Sequence, residues 1–280
     1  MQICFKIFSF LCIILPINMY SQNIEYLFED GIYIEKPKDT SNTNRYTEDN
    51  IIYQPDDVFY YTYEYLDSLY NCWFFNISNF NGALESIKWE LVTAENISDS
   101  TITGYKMKVH FGLSQFATLL PDYDQTVVEY ILSTPKEDLW RVKSFTGVIE
   151  NPKNVWIHPP RQHFFKILEL GPFPFIQAPY ELGNRWNWEL EIGDIWSDPF
   201  WAVWEGSIRN RCIYEITDTN FILQTSLGDL KCFVIESTCK NEIGETFLKS
   251  YFNPDLGFVK LEYINIDKSR ITIELEKVEK

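Results

Sequence analysis

The chain has 280 residues, of which 45% are apolar and 17% aromatic, and its formal charge is −16. That composition excludes an intrinsically disordered chain and can fill a sizeable core, in one large domain or two modest ones. The negative charge excludes partners held by attraction to phosphate or anionic lipid heads, so neither nucleic acid nor a membrane surface is expected.

Taken in order, residues 1–21 read as a signal peptide. Lys6 precedes the apolar run Ile7–Leu15, Pro16 ends it, and Ser21 offers a small residue for cleavage. An N-terminal membrane anchor is the alternative, but the run is shorter than the ~20 residues a span needs. A lipid-acceptor Cys would follow the run, whereas Cys12 lies inside it. The expectation is export to the periplasm or extracellular space, with no membrane span in the remaining chain. Residues 22–55 form an irregular strap, with a loop over Lys36–Arg45 and a strand at Gly31–Glu35.

Residues 56–280 are expected to be one β-rich domain, with a sub-boundary or simple turn near 151–154. Val58–Leu66 is dense in Tyr and Phe, which suit a pleated, half-buried surface. Lys88–Ile97, Gly104–Phe111, Val127–Ser133 and Leu139–Glu150 follow as strands. In Gly104–Phe111, Tyr105, Met107, Val109 and Phe111 alternate with Lys106, Lys108 and His110, the period of a strand with one wet face. Phe116–Asp124 is the candidate short helix or large loop. Trp186–Ile192 and Ser207–Thr217 continue the strands.

Asp229–Lys240, Thr246–Phe252, Phe258–Ile264 and Arg270–Val278 read as four further strands. The connectors 241–245, 253–257 and 265–269 carry the Asn, Asp, Gly and Pro that tight turns need. In the last strand Ile271, Ile273 and Leu275 face inward and Thr272, Glu274 and Glu276 outward. No segment carries a sustained helical stripe. The predicted fold is mainly β: a large curved antiparallel sheet, half-open barrel or sandwich, ending in a four-strand C-terminal meander.

Beyond residue 21 the cysteines are Cys72, Cys212, Cys232 and Cys239. Four thiols in an exported chain permit three disulfide pairings, and buried free thiols are the competing arrangement. Their spacing matches no zinc ribbon and no C-x-x-C redox motif.

Three stretches carry a resemblance: the Phe252-Asn253-Pro254 turn running through Leu256-Gly257-Phe258-Val259, the Tyr263–Asp267 hairpin, and the strand entry Tyr180–Trp186. Together they resemble a loose group of exported, β-rich bacterial proteins of unknown function. The resemblance covers about the last 120 residues. It implies an exported β fold and brings no activity, hence no catalytic residue.

Functional chemistry concentrates between Val155 and Gly206, which hold six of the nine tryptophans and two of the three histidines. No nucleophile elbow, dinucleotide fingerprint, P-loop or H-E-x-x-H motif occurs, and Asp122-Tyr123-Asp124 lacks the Gly and Glu of a calcium loop. No metal and no cofactor is expected, and no catalytic residue is assigned. His158, Arg161 and His163 flank Pro159-Pro160. They form either a small polar site or a stiff loop whose side chains bond the backbone. Trp186, Trp188, Leu190 and Ile192 share one face of a strand and are read as core. Trp196, Trp201 and Trp204 lie in or beside a loop and are the stronger ligand candidates. Glu189 and Glu191 sit at a spacing that glycosidases use, and equally at the spacing of a solvated strand face.

The expected function is therefore non-enzymatic binding of an apolar or sugar-like ligand, or of an envelope partner, through His158, Arg161, His163, Trp196, Trp201 and Trp204. A hydrolase of envelope glycans, using Glu189, Glu191, Asp194 or His158, is one alternative. A structural protein using the same aromatics as an interface is the other.

Overall fold

A computed structural model describes residues 26–35, 50–78, 87–110, 125–139 and 142–280. The expected signal peptide and the helix or loop at 116–124 lie outside these residues.

Two short strands, β1 (Tyr26–Glu29) and β2 (Ile32–Glu35), form a separate hairpin. The rest of the described chain builds one sheet from β3 (Val58–Leu66), β4 (Cys72–Ser78), β5 (Lys88–Val92), β6 (Gly104–Val109), β7 (Thr126–Ser133), β8 (Ser144–Asn151), β9 (Asn154–Ile157), β10 (Phe175–Gln177), β11 (Arg185–Gly193), β12 (Ser207–Thr225), β13 (Gly228–Asn241), β14 (Gly244–Asn253), β15 (Gly257–Ile264) and β16 (Arg270–Glu279). Twelve strands run in the order β10-β9-β8-β7-β6-β3-β16-β15-β14-β13-β12-β11, with every neighbouring pair antiparallel. β4 and β5 branch off β3. The sheet curls until it is nearly closed into a barrel, and β13–β16 form the predicted meander.

The period of two sets the core. Ile271, Ile273 and Leu275 on β16 are wholly buried, as are Tyr105, Met107 and Val109 on β6. The two ends of the sheet, β10 and β11, meet through side chains instead of a backbone ladder. Phe175 packs edge-on against Trp186 at 5.5 Å, and Trp186 stacks on Tyr214 at 5.4 Å. Asn184 Nδ2 donates to Gln177 O at 2.9 Å. This seam is where the sheet fails to close, so it is also where a cavity can form.

The N-terminal strap is tied to the barrel by a buried carboxylate. Glu150 accepts from the backbone N–H groups of Ile51, Ile52 and Tyr53 at 2.8–2.9 Å. Asn151 and Asn154, bracketing the β8–β9 turn, bond Tyr33 of the hairpin. Cys212 and Cys239, registered across β12 and β13, form a disulfide; Cys72 is free and exposed, and Cys232 is free and buried.

Several boundaries differ from expectation. The strand expected over Lys88–Ile97 stops at Val92 and gives way to a 3-10 turn at Ala94–Asn96. The one expected over Leu139–Glu150 begins only at Ser144. β1, β4, β9 and β10 are additional; β9 and β10 are four and three residues long, too short for a period to show. β12 runs eight residues beyond its expected end at Thr217, because register shifts between Ile216 and Phe221 interrupt its alternation.

A cavity at the barrel seam

Between β9 and β10 the chain turns into the barrel and back. Pro159-Pro160 stiffen the entry, a 3-10 segment follows at His163–Leu170, and Pro172 and Pro174 stop any helix from continuing. Phe164, Phe165, Ile167, Leu168, Leu170 and Phe173 of this segment are buried. A non-repetitive segment leaves carbonyls without ladder partners, and surrounding strands supply the donors. Tyr130 Oη donates to His158 O (2.8 Å), Tyr214 Oη to Phe173 O (3.2 Å), Thr246 Oγ1 to Leu170 O (3.0 Å) and Asn210 Nδ2 to Glu169 O (3.3 Å). The segment is thus held from three strands, β7, β12 and β14.

A cavity of about 400 Å³ lies beside it, lined among others by Trp156, His158, Arg161, Glu169, Trp188 and Trp196. Its back wall is aromatic. Trp188 packs on Phe173 at 4.8 Å and on Trp156 at 6.1 Å, and Phe173 meets the His158 ring at 4.7 Å. Trp156 comes from β9 and Trp188 from β11, so this wall exists only because the seam brings the two sheet ends together.

At the centre, His158 Nε2 lies 3.3 Å from Glu169 Oε1. Burial pushes the imidazole down to about 3, with the nearby Arg161 charge acting in the same direction. Burial pushes the Glu169 carboxyl up to about 8, against the pull of Arg161 and Lys166. Near neutral pH the contact is therefore between two neutral groups, although its distance alone would suit an ion pair. His158 Nδ1 lies 2.8 Å from the Pro159 carbonyl. That fixes the tautomer: Nδ1–H donates to the carbonyl, and Nε2 is a bare acceptor facing Glu169. No hydrogen bond joins the two, and Glu169 Oε1 is buried without a hydrogen-bond partner, as is Trp156 Nε1. Buried polar atoms are almost always paired, so two on one cavity mark it out.

Arg161 closes one side. Its Nη2 donates to Phe145 O at 2.7 Å and its guanidinium lies 5.9 Å from the centre of the Trp196 ring. The hairpin closes another: Glu29, Asp30, Ile32 and Ile34 line the cavity. Gly31 at the hairpin turn has φ +91°, and a Cβ there would meet Asn187 O of β11 at 2.5 Å. Only glycine lets the hairpin press this closely on the seam.

Of the residues expected to form a site, His158, Arg161 and Trp196 come together here. The other three do not. His163 stacks on Trp89 at 4.2 Å, with burial pushing its imidazole down to about 4. Trp201 donates its indole N–H to Trp196 O at 3.2 Å. Trp204 is buried in a small cluster with Leu170, Ile192 and Ile208, so its ring serves packing. The loop position that made Trp204 look available is shielded by residues distant in sequence. Glu189 and Glu191 reach the rim, half-exposed, with Arg209 at 3.9 and 3.4 Å. Asp194 accepts from Gly206 N at 3.0 Å and closes its own loop. The alternation-based reading missed Glu169, Trp156 and Phe173 as cavity residues. The available signal was Glu169 itself, one carboxylate inside the otherwise apolar run Ile167-Leu168-Glu169-Leu170.

No family model matches the chain, and no curated protein matches it. Among solved structures it is similar to a "putative exported protein with YmcC-like fold" from Bacteroides fragilis, with TM-score 0.42 and 9% identity over 82% of this chain and 98% of that one. It is also similar to a "putative lipoprotein" from Parabacteroides distasonis, with TM-score 0.39 and 11% identity over 82% of this chain and 97% of that one. Neither description names an activity. Among the described residues no helix is long and apolar enough to cross a membrane.

Proposed function

We propose that this is an exported, non-enzymatic protein that binds a small apolar or sugar-like ligand in the seam cavity. Export rests on the sequence of residues 1–21. The observation that carries the binding reading is the cavity itself: Trp156, Phe173 and Trp188 form its wall, and two buried polar atoms on it lack partners. A rigid aromatic face can cover a sugar ring or an acyl chain at low entropic cost, while a few polar groups orient the ligand. Glu189 and Glu191 support catalysis less well, because both face Arg209 and solvent.

Tryptophan fluorescence titration tests the reading. Quenching or a spectral shift with an oligosaccharide or a medium-chain lipid, lost in Trp196→Ala, is the expected result. An unchanged spectrum across both ligand classes would refute it. A second reading, a protein interface, is favoured by Ile195, Phe200 and Val203, which stand 75%, 54% and 67% exposed between β11 and β12. Sedimentation equilibrium decides it: a concentration-dependent dimer abolished by Phe200→Ser supports the interface, and a strict monomer removes self-association.

A further inference from the structure

Arg161 and Lys166 both approach the Trp196 ring, at 5.9 and 5.6 Å from its centre. Arg161 donates to Phe145 O, and Lys166 to Ile195 O at 3.4 Å. Among the described residues neither has a carboxylate within ion-pair distance, in a chain with 40 acidic and 24 basic side chains. Glu169 lies beside them, 3% exposed, with Oε1 lacking a hydrogen bond.

From this arrangement we infer that the cavity holds its ligand through a carboxylate on that ligand, with Arg161 as cationic partner and the Glu169 carboxyl donating a hydrogen bond. The inference rests on the cavity being a binding site. A guanidinium presents five N–H donors in a planar fork, and Phe145 O engages one side of it. The remaining donors suit a carboxylate, which a fork binds with two parallel bonds. An ionised Glu169 would repel that group; burial keeps it protonated near neutral pH. Its proton, which makes no hydrogen bond to His158, then serves the ligand.

The charged and titratable groups facing Glu169 are His158, Arg161 and Lys166. Glu29 and Asp30 from the β1–β2 hairpin, and Glu189 and Glu191 from β11, line the rest of the cavity. Those four acids act on an incoming anion mainly through solvent, where salt screens them over about 8–10 Å, whereas Arg161 acts by contact. A carboxylate of this kind is carried by an acidic sugar or by a fatty acid.

Isothermal titration of the full chain at pH 7 with two matched pairs tests the inference: tri-galacturonate against galactotriose, and octanoate against octanol. One acid should bind at least about tenfold tighter than its neutral match, the size expected of a charge-assisted contact. Which pair responds identifies the source of the carboxylate. Arg161→Gln should remove that advantage, and Lys166→Gln, on the same tryptophan ring, should reduce it. The unaltered chain should bind more weakly above pH 8; Glu169→Gln should keep the advantage and remove that weakening. If a neutral member binds as tightly as its acid, the carboxylate inference is wrong and the cavity reading survives. If none of the four binds, both are wrong.

Discussion

The meander β13–β16 and the seam segment 155–206 contain similar residues and use them differently. In the meander, alternate side chains turn inward and pair with near neighbours in sequence, across tight turns at 242–243, 254–256 and 265–269. In the seam segment the buried side chains come from a 3-10 turn, the very short strands β9 and β10, the nine-residue β11 and a loop, and many of their partners lie far along the chain. Tyr130 holds His158, Thr246 holds Leu170, and Trp156 meets Trp188. Regular ladders satisfy the meander's backbone locally. The seam segment must borrow donors from elsewhere, and the donors left over face a cavity.

The largest expected contrast is in stability. Ile273→Ala in the meander removes a wholly buried side chain and should cost about 2–5 kcal/mol, read as a lowered chemical-denaturation midpoint. Trp196→Ala at the seam should cost about 1 kcal/mol or less, while removing ligand-induced fluorescence change. Equal losses of stability would erase the distinction between packing and binding regions.

Next in size is the disulfide. Reduction of Cys212–Cys239, which lie 27 residues apart on β12 and β13, should cost about 2–4 kcal/mol, measured by thermal melts with and without reductant. Melts that coincide would show that the ladder between these strands needs no cross-link.

A smaller effect, confined to the seam, should follow pH. Glu169 titrates at about 4.5 in the unfolded chain and about 8 in the fold. The folded state therefore holds a proton that the unfolded state releases. The resulting stability is complete below 4.5 and is lost as pH rises through 8. His158 has the opposite sign: its neutral folded form is favoured above 6.5, and stability falls as pH drops toward 3. Between about 6.5 and 8 Glu169 contributes and His158 does not, with a slope approaching 1.4 kcal/mol per pH unit. Glu169→Gln should flatten that slope; an unchanged slope would mean that Glu169 is ionised in the fold. The smallest effect belongs to the rim, where Glu191→Gln should change stability by less than about 0.5 kcal/mol, because its contact with Arg209 is exposed to solvent.

Much of the fold was legible in the residues. β3 begins and ends where its Tyr- and Phe-rich run does, and the four meander strands lie within two residues of their expected bounds. Less of the candidate site was legible. His158, Arg161 and Trp196 were recognisable as chemistry, but His163, Trp201 and Trp204 looked the same in sequence and face other surroundings.

What the sequence by itself determined is the β class, the meander and which face of β6, β11 and β16 is buried. Period and turn chemistry are local properties, expressed within a few residues of chain. What only the tertiary structure decided is which aromatics surround a cavity, that Glu169 sits neutral beside His158, and which two cysteines pair. Those outcomes depend on the meeting of the two sheet ends at the seam, and no local rule encodes a contact between residues so far apart.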